Sequence, residues 1–213
     1  MLQLWYQKPA TYWEEALPLG NGRLGAMVWS GVDHETLSLN EDSLWSGYPK
    51  CADIPGAVEY YKQAQQLARE KKYSEAQELL EDMFLSDYTQ SYLPLADLKL
   101  ELEHPQGDVE NYRRSLSLED AISRLTYTIG GTTYTREAFV SAPDQAIVLR
   151  IQADKPGSIT LKAWFDCRLR SSCTIEDGRL VLDGVAPSQV DPSYLGETPN
   201  PIVYEEDPQK LPL

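Results

Sequence analysis

The sequence predicts a mainly β protein, an antiparallel β-sandwich with an inserted helical hairpin. From Leu95 onward apolar residues alternate with polar ones, as Leu98, Leu100 and Leu102 do. Such alternation is typical of strands that bury one face. Glycine and proline turns separate these runs at short spacing, the pattern of an antiparallel sheet protein. Residues 54–86 instead repeat apolar residues at helical spacing, which predicts the hairpin.

The N-terminal part of the chain predicts three short strands. Residues 2–6 alternate apolar and polar side chains, residues 24–29 are almost continuously apolar, and Leu37 and Leu39 carry a strand that ends at Asn40. The apolar run of 24–29 predicts burial on both faces. Residues 17–22 hold two glycines and an asparagine, which favour left-handed backbone conformations. We therefore expect a turn region there.

Within the hairpin, Ser74 and Gln77 have the spacing of a capping box, which predicts that a second helix starts after Lys72. The same stretch resembles half of a tetratricopeptide unit. Nothing recurs at the ~34-residue period of such repeats, so a repeat array is rejected.

The later part of the chain predicts hairpins and a final irregular segment. Gly130 and Gly131 separate two strand patterns, which is a strong hairpin signal. The further predicted strands are 147–151, 159–167 after a turn at 154–157, and 173–175 joined to 180–182 by Glu176-Asp177-Gly178. Residues 186–213 are rich in proline, and only 202–204 look strand-like. A sandwich that ends this way is either completed by another chain or incomplete, and we favour the second.

Composition limits the classes of function. With 213 residues, one domain is the default expectation. The net charge of −14 argues against nucleic acid and anionic membranes, because no basic surface is available to contact phosphates. No apolar run approaches the ~20 residues of a membrane helix. No signal peptide is visible, so we expect a cytoplasmic protein as the chain stands, while secretion of a parent enzyme stays open.

Cysteine and histidine give no metal or cofactor prediction. Cys51, Cys167 and Cys173 lack zinc-site spacing. Cys167 and Cys173 could meet across a turn, but buried free thiols are the favoured state. His34 and His104 are far apart in sequence among polar residues, which favours surface or loop histidines over ligands or general bases.

The segment 15–47 holds the candidate functional residues. Glu41 and Asp42 are adjacent, so on an extended segment they point to opposite sides. They cannot flank one glycosidic bond, which requires carboxylates ~5–9.5 Å apart. Glu41 could pair with a distant carboxylate, but the sequence names none. The favoured interpretation is a loop in which Asn40 and Asp42 cap backbone groups and Trp45 packs.

Two other patterns in this region are weak as functional signals. Residues 20–25 spell the G-x-G-x-x-G motif, but a dinucleotide site needs a strand before it and a helix after it. A tight turn into a buried strand is favoured, with Arg23 as a candidate interdomain donor. The tryptophans could stack on sugars, although core packing is the favoured interpretation. No catalytic set follows from the residues alone, because no G-x-S-x-G motif is present either.

Several long motifs carry a resemblance to a known family. They are Leu4-Trp5-Tyr6 with Pro9, Ala10 and Trp13, EALPLGNGRLGAMVWSGV (15–32), LSLNEDSLWSG (37–47), YLPLADL (92–98), the segment 126–159, VAPSQVDPSY (185–194) and NPIVYEE (200–206). Together they resemble the N-terminal domain of glycoside hydrolase family 95, the α-L-fucosidases with some α-L-galactosidases. The resemblance runs to about Glu206, and residues 207–213 depart from it.

The resemblance implies a super-sandwich domain over 1–206, incomplete at its C-terminal end, that packs on a catalytic (α/α)6 barrel. The family's general acid and water-activating residues lie in that barrel, so this chain would be a fragment that is inactive by itself. Its partners would be its own barrel domain and, in the full enzyme, a fucosylated glycan. The interdomain or cleft-rim candidates are Asn21, Arg23, Asn40, Glu41, Asp42 and Trp45. The alternatives are an independent carbohydrate-binding module and a structural assembly domain.

Overall fold

The structure is a computed structural model that describes residues 2–48, 53–83, 89–205 and 207. The chain divides into two compact units, Met1–Trp45 with Tyr92–Ala186 and Ser46–Ser91 with Pro187–Leu213. The prediction of one domain over 1–206 stays a prediction.

The described residues form fourteen strands and two α-helices. In chain order they are β1 (Gln3–Tyr6), β2 (Leu17–Gly20), β3 (Leu24–Val28), β4 (His34–Glu41), α1 (Ala57–Arg69), α2 (Tyr73–Met83), β5 (Ala96–Glu103), β6 (Glu110–Ser117), β7 (Ser123–Ile129), β8 (Thr132–Ser141), β9 (Ala146–Ala153), β10 (Thr160–Asp166), β11 (Arg170–Glu176), β12 (Arg179–Val185), β13 (Gln189–Val190) and β14 (Ile202–Val203). Two short 3-10 turns lie at Trp13–Glu15 and Ser193–Leu195.

The first unit contains a five-stranded antiparallel sheet in the order β1-β6-β7-β8-β9. The predicted hairpin between β7 and β8 is confirmed. Gly130 and Gly131 join the strands with φ of 57° and 69°, as a two-residue turn matched to the strand twist requires.

A second five-stranded antiparallel sheet has the order β10-β5-β4-β3-β2. The predicted turn region over 17–22 is partly wrong, because Leu17–Gly20 is the strand β2. Leu17 and Leu19 alternate into the core, which outweighs the local turn signal and leaves only residues 21–23 as the turn. After the predicted turn at 154–157 the chain changes sheets, since β10 pairs with β5.

The two sheets enclose an aliphatic core, which confirms the predicted mainly β fold and its sandwich core. Its buried members come from strands of both sheets: Leu17, Leu19, Val28, Leu37, Leu116 and Ala138. A second cluster along the first sheet contains Leu125, Tyr127, Ile129 and Tyr134. The rings of Tyr127 and Tyr134 stack with centroids 5.3 Å apart. Burial on both faces of β3 is only partial, since Ala26 and Val28 are buried but Leu24 and Met27 are half-buried.

The tryptophans contradict the prediction that they would pack in the core. Trp5, Trp13, Trp45 and Trp164 are exposed, and Trp29 is half-buried. The alternating leucine, valine and alanine side chains fill the space between the sheets, so the larger indoles lie on outer faces and in loops.

The helical hairpin of the second unit is confirmed over the described residues, while 84–86 lie outside them. Helices α1 and α2 each bury one alanine, Ala64 and Ala76. The second helix starts directly after Lys72, as predicted, because α2 begins at Tyr73. The predicted capping box is wrong, since Ser74 lies inside α2 and not before it. The Gln77 amide donates instead to the Glu81 carboxylate one turn later, at 2.7 Å. In the tail β13 pairs with β14, which confirms the strand at 202–203. None of the described helices is long and apolar enough to span a bilayer.

Predictions for cysteine and histidine are partly wrong. Cys173 is an exposed free thiol and Cys167 a half-buried one, while Cys51 lies outside the described residues. Cys173 is exposed because every residue of β11 is exposed. His34 is exposed, as expected. His104 lies in the loop after β5, as expected, but its side chain is only 3% exposed, because it fits between Asp33 and the buried tyrosines.

Candidate functional site at one end of the sandwich

The turn between β2 and β3 is closed by one asparagine side chain. Asn21 Oδ1 accepts hydrogen bonds from the backbone amides of Arg23 at 3.0 Å and Leu24 at 2.8 Å. Asn21 Nδ2 donates to the carbonyl oxygen of Ser141 at 2.9 Å. Ser141 ends β8 in the opposite sheet, so Asn21 ties the turn of one sheet to the other.

Arg23 lies on the same turn and is held on two sides. Its Nη1 contacts Glu41 Oε1 at 3.2 Å, and its Nε donates to Gln145 Oε1 at 2.7 Å. The side chain is 47% exposed. Its Nη2 makes no hydrogen bond within the described part of the chain. The guanidinium is therefore fixed in orientation but keeps donors available for a further contact.

Glu41 organises the loop that follows β4. Its Oε2 accepts from the Ser43 hydroxyl at 2.6 Å and from the Ser43 amide at 2.9 Å. The Ser43 bonds, together with Arg23, hold the pKa of Glu41 below its ordinary value. A glycosidase general acid needs a raised pKa. Glu41 is thus an ionised carboxylate that holds the loop through hydrogen bonds, and it lacks the raised pKa of a general acid.

The predicted capping roles of Asn40 and Asp42 are wrong, because Glu41 supplies the carboxylate bonds. Within the described residues Asp42 bonds only through its backbone: its amide donates to Arg23 O at 3.0 Å, and its carbonyl accepts from the Trp45 indole at 3.0 Å. Asn40 lies opposite Gly25 in the β3–β4 ladder. A Cβ on that glycine would lie 3.5 Å from Asn40 Cβ.

Trp45 packs as predicted, and its partner is Tyr92. Their ring centroids are 5.0 Å apart at 45°, and the two residues form an isolated antiparallel bridge. The Tyr92 hydroxyl donates to Glu41 O at 3.1 Å. Trp45 is 48% and Tyr92 43% exposed. The structure thus joins five of the six predicted residues into one surface, which we call the tip: Asn21, Arg23, Glu41, Asp42 and Trp45. Gln145 and Tyr92 also belong to the tip, and Asn40, the sixth predicted residue, lies beside it.

A buried ion pair was missed by sequence reasoning. Glu35 Oε2 lies 3.0 Å from Arg136 Nη1, and both side chains are almost fully buried. Glu35 Oε1 accepts from the amides of Ser30 at 2.7 Å and Thr36 at 3.0 Å. Burial raises the pKa of Glu35, and Arg136 offsets part of this rise. The available signal was the position of Glu35, which shares the core-facing period of Leu37 on β4.

The pair extends through a chain of side chains to the surface. Arg136 Nη2 donates to Tyr127 OH at 2.9 Å, and Tyr127 OH lies 2.8 Å from His104 Nε2. His104 Nδ1 is 2.9 Å from Asp33 Oδ1. Arg136 also donates to the carbonyls of Gly31 and Val32. These bonds fix the β3–β4 loop, which is a structural role.

The described residues contain no group of three or more His, Cys, Asp and Glu side chains that could hold a metal ion. What the tip offers is a rigid surface with one oriented guanidinium, one ionised carboxylate and an exposed aromatic pair. Such a surface suits contact with a protein neighbour or with the face of a sugar ring.

Residues 4–206 match the family model described as "Glycosyl hydrolase family 65, N-terminal domain". The chain belongs to this family of N-terminal domains. A curated relative is the "Alpha-L-fucosidase 2" of Arabidopsis thaliana, 39% identical over 171 residues that cover 79% of this chain and 20% of the relative. The "Probable alpha-fucosidase A" of Aspergillus niger is 33% identical over 168 residues, 71% of this chain and 20% of the relative. That of Aspergillus oryzae is 30% identical over 162 residues, 70% of this chain and 21% of the relative.

The chain therefore spans about a fifth of the length of these relatives. Their names confirm the predicted resemblance to the N-terminal domain of α-L-fucosidases of glycoside hydrolase family 95, although the matching model carries the family 65 name. The family model thus shows which kind of N-terminal domain this is, and the relatives that match it are named as alpha-fucosidases. The roles of the tip residues stay predictions.

Proposed function

We propose that this N-terminal domain is non-catalytic and packs on the helical barrel of an inverting, exo-acting glycoside hydrolase. The parent enzyme would be an α-L-fucosidase, with α-L-galactosidase as the related specificity. The tip would form the contact with the barrel or one rim of its cleft. The observation that carries this proposal is the tip itself, where rigid side chains are presented to the exterior without a general acid among them.

The carboxyl groups with the most distinctive environments support a non-catalytic role. A general acid must combine a raised pKa with access to the glycosidic oxygen. Glu41 is accessible, but its pKa is lowered. Glu35 has a raised pKa, but it is 1% exposed and bonded to Arg136. Neither residue meets both requirements, so we assign the chemistry to another domain.

The tip has the composition of a contact surface. Arginine and aromatic residues are enriched in protein interfaces and among their energetically dominant positions. Arg23 keeps unused donors, and the Trp45–Tyr92 pair exposes nearly half of each side chain. Because Asn21, Glu41 and Gln145 fix these groups, little conformational entropy would be lost on docking.

A chimeric enzyme tests the proposal. Residues 4–206 would replace the matched segment of the Arabidopsis relative, and release of 4-nitrophenol from 4-nitrophenyl α-L-fucoside would be measured. We expect activity from the chimera, none from the present chain alone, and a large loss on combining Arg23→Ala with Trp45→Ala. The matched control is Trp5→Ala, which removes another exposed tryptophan, on β1. It should leave activity unchanged.

Two outcomes would contradict the proposal. Inhibitor-sensitive turnover by the present chain alone would place a complete active site within it. Full activity of the Arg23→Ala/Trp45→Ala chimera would remove the tip from the interdomain contact or cleft rim.

The exposed Trp45–Tyr92 pair also favours a second candidate, an independent carbohydrate-binding module. This function would produce saturable binding of fucosylated glycans by the isolated chain, with loss on Trp45→Ala. The absence of heat on titration at millimolar sugar, where weak binders are still detected, would remove it.

A further inference from the structure

A cavity of about 410 Å³ lies in the first unit, away from the tip. Its lining includes Trp13, Trp29, Ser38, Asp97, Asp166 and Arg168. Ser38, Asp97 and Asp166 occupy β4, β5 and β10, where they alternate with the core residues Leu37 and Leu98 and with Phe165. The cavity is therefore on the outer face of the second sheet, opposite the core.

Two indole rings border this cavity in different ways. The Trp29 indole N–H donates to Ser38 Oγ at 3.1 Å, which fixes the ring against the sheet. Trp13 is 56% exposed, on the 3-10 turn that precedes β2. The face of an aromatic ring carries partial negative charge. It attracts the C–H groups that one face of a pyranose ring presents.

Polar groups beside the rings have unused bonding capacity. Asp97 pairs with Lys99 at 3.0 Å, and Lys99 also donates to Thr36 Oγ1 at 3.2 Å. The side chains of Asp166 and Arg168 are exposed and make no hydrogen bond or ion pair within the described residues. A carboxylate accepts hydrogen bonds and a guanidinium donates them, while a sugar hydroxyl does both. Adjacent hydroxyls therefore match this pair.

The charges around the cavity balance, since Asp97, Asp166 and Arg168 line it and Lys99 is paired with Asp97. A neutral ligand fits this arrangement better than an anion, which would also approach a chain of net charge −14. A flat protein surface fits less well, because it would remove Asp166 and Arg168 from water without supplying partners. The cores of protein interfaces are in fact depleted of charged residues.

We propose that this cavity binds a neutral monosaccharide unit of a glycan. Trp13 and Trp29 stack on the pyranose ring, and Asp166 and Arg168 bond its hydroxyls. The volume lies in the range of small-molecule sites, ~300–1,000 Å³. This site is separate from the tip and does not depend on where the parent enzyme performs its chemistry.

The experiment is a titration of the full chain with methyl α-L-fucopyranoside and with methyl β-D-galactopyranoside. Calorimetry and tryptophan fluorescence measure the binding. We expect saturable binding of at least one sugar with a millimolar dissociation constant, typical of a single shallow contact. Trp13→Ala should weaken it about tenfold or more. Asp166→Asn combined with Arg168→Gln should do the same, while Trp13→Phe should retain part of the affinity.

Two controls show that a loss of binding comes from the cavity, and not from the tip or from a variant that fails to fold. Trp45→Ala and Trp5→Ala should bind like the unmodified chain, and circular dichroism should show each variant folded. The proposal is overturned if neither sugar binds up to about 100 mM, some hundredfold above a millimolar dissociation constant. It is also overturned if Trp45→Ala abolishes binding and Trp13→Ala does not. The chimera's activity tests the proposed function separately.

Discussion

Arg136 holds the β3–β4 loop through several bonds at once. It pairs with Glu35 and donates to Gly31, Val32 and Tyr127 from a side chain that is 2% exposed. We predict that Arg136→Met lowers the free energy of unfolding by about 3–5 kcal/mol, because it leaves Glu35 buried without its partner. Denaturant unfolding measures this loss.

A matched control and a rescue sharpen that test. Arg150→Met removes an arginine whose side chain is 61% exposed, and we expect little change in stability from it. Combining Arg136→Met with Glu35→Met should recover part of the loss, since buried ion pairs can often be replaced by apolar groups. Equal losses for Arg136→Met and Arg150→Met would contradict the assigned role.

Glu41 gives a prediction of pH dependence. Because its folded pKa is lowered, the ionised form is favoured by folding. Its contribution to stability is therefore present above its ordinary value of 4.5 and is lost as the pH falls through the folded pKa. The stability difference between the unmodified chain and Glu41→Gln should shrink from about pH 7 to about pH 3, measured by thermal unfolding. A stability difference that stays constant with pH would contradict the role of the lowered Glu41 pKa. The stability difference for Ser43→Ala should also shrink at low pH, but by less.

At the residue scale, the sequence predicted which residues lie at the tip better than it predicted which residues they contact. The segment around Asn21, Arg23, Glu41 and Trp45 was identified from its turn residues and aromatics, and the structure joins these residues. Tyr92 and Gln145 could not be assigned, because they reach the tip through an isolated bridge to Trp45 and a side-chain hydrogen bond from Arg23, across 47 and 122 residues. Local patterns hold no information on such contacts.

Gly31 gives an element-scale prediction for the β3–β4 loop. A Cβ at this position would collide with the backbone carbonyl oxygen of His34. We predict that Gly31→Ala lowers the free energy of unfolding by more than about 3 kcal/mol, since backbone cannot move aside as a side chain can.

A glycine in another turn is the control for this substitution. Gly178 joins β11 to β12 with φ of 74° and open space around it. Gly178→Asn should cost little, because asparagine tolerates left-handed backbone. Similar losses for both variants in denaturant unfolding would show that the loop accommodates a side chain and would contradict the prediction.

Strands were predicted well because alternation of apolar and polar residues directly reflects one buried face. What the sequence did not predict has two causes. Leu17–Gly20 contains a proline and a glycine, so local turn signals hid a strand that its two core leucines stabilise. The strand β10 alternates clearly, but alternation does not specify which sheet a strand joins.

The helical insertion gives a prediction for the whole molecule. It begins after Trp45 and ends before Tyr92, two residues that form a bridge in the first unit. Replacing residues 46–91 by a Gly-Ser loop of about four residues should therefore close without strain. We expect the first unit to unfold cooperatively at nearly its original temperature and the helical signal in circular dichroism to decrease. A chain without cooperative unfolding would contradict this prediction.

At this scale the sequence predicted the mainly β class, the insertion and the family, because long motifs and whole-chain periodicity carry that information. The division into two compact units was not predicted. The first unit joins Met1–Trp45 to Tyr92–Ala186, segments separated by the insertion. Composition changes along the chain do not mark such a discontinuous boundary.

The Glu35–Arg136 pair has a consequence for the order of folding. The two residues are 101 positions apart, so their contact closes a very long loop. Contacts of high sequence separation are entropically costly and raise the contact order. We expect the pair to form after the folding transition state, once both sheets are in place. Arg136→Met should then accelerate unfolding while leaving the refolding rate nearly unchanged, as the two arms of a chevron plot would show. The pair would then slow unfolding and so lengthen the lifetime of the folded sandwich.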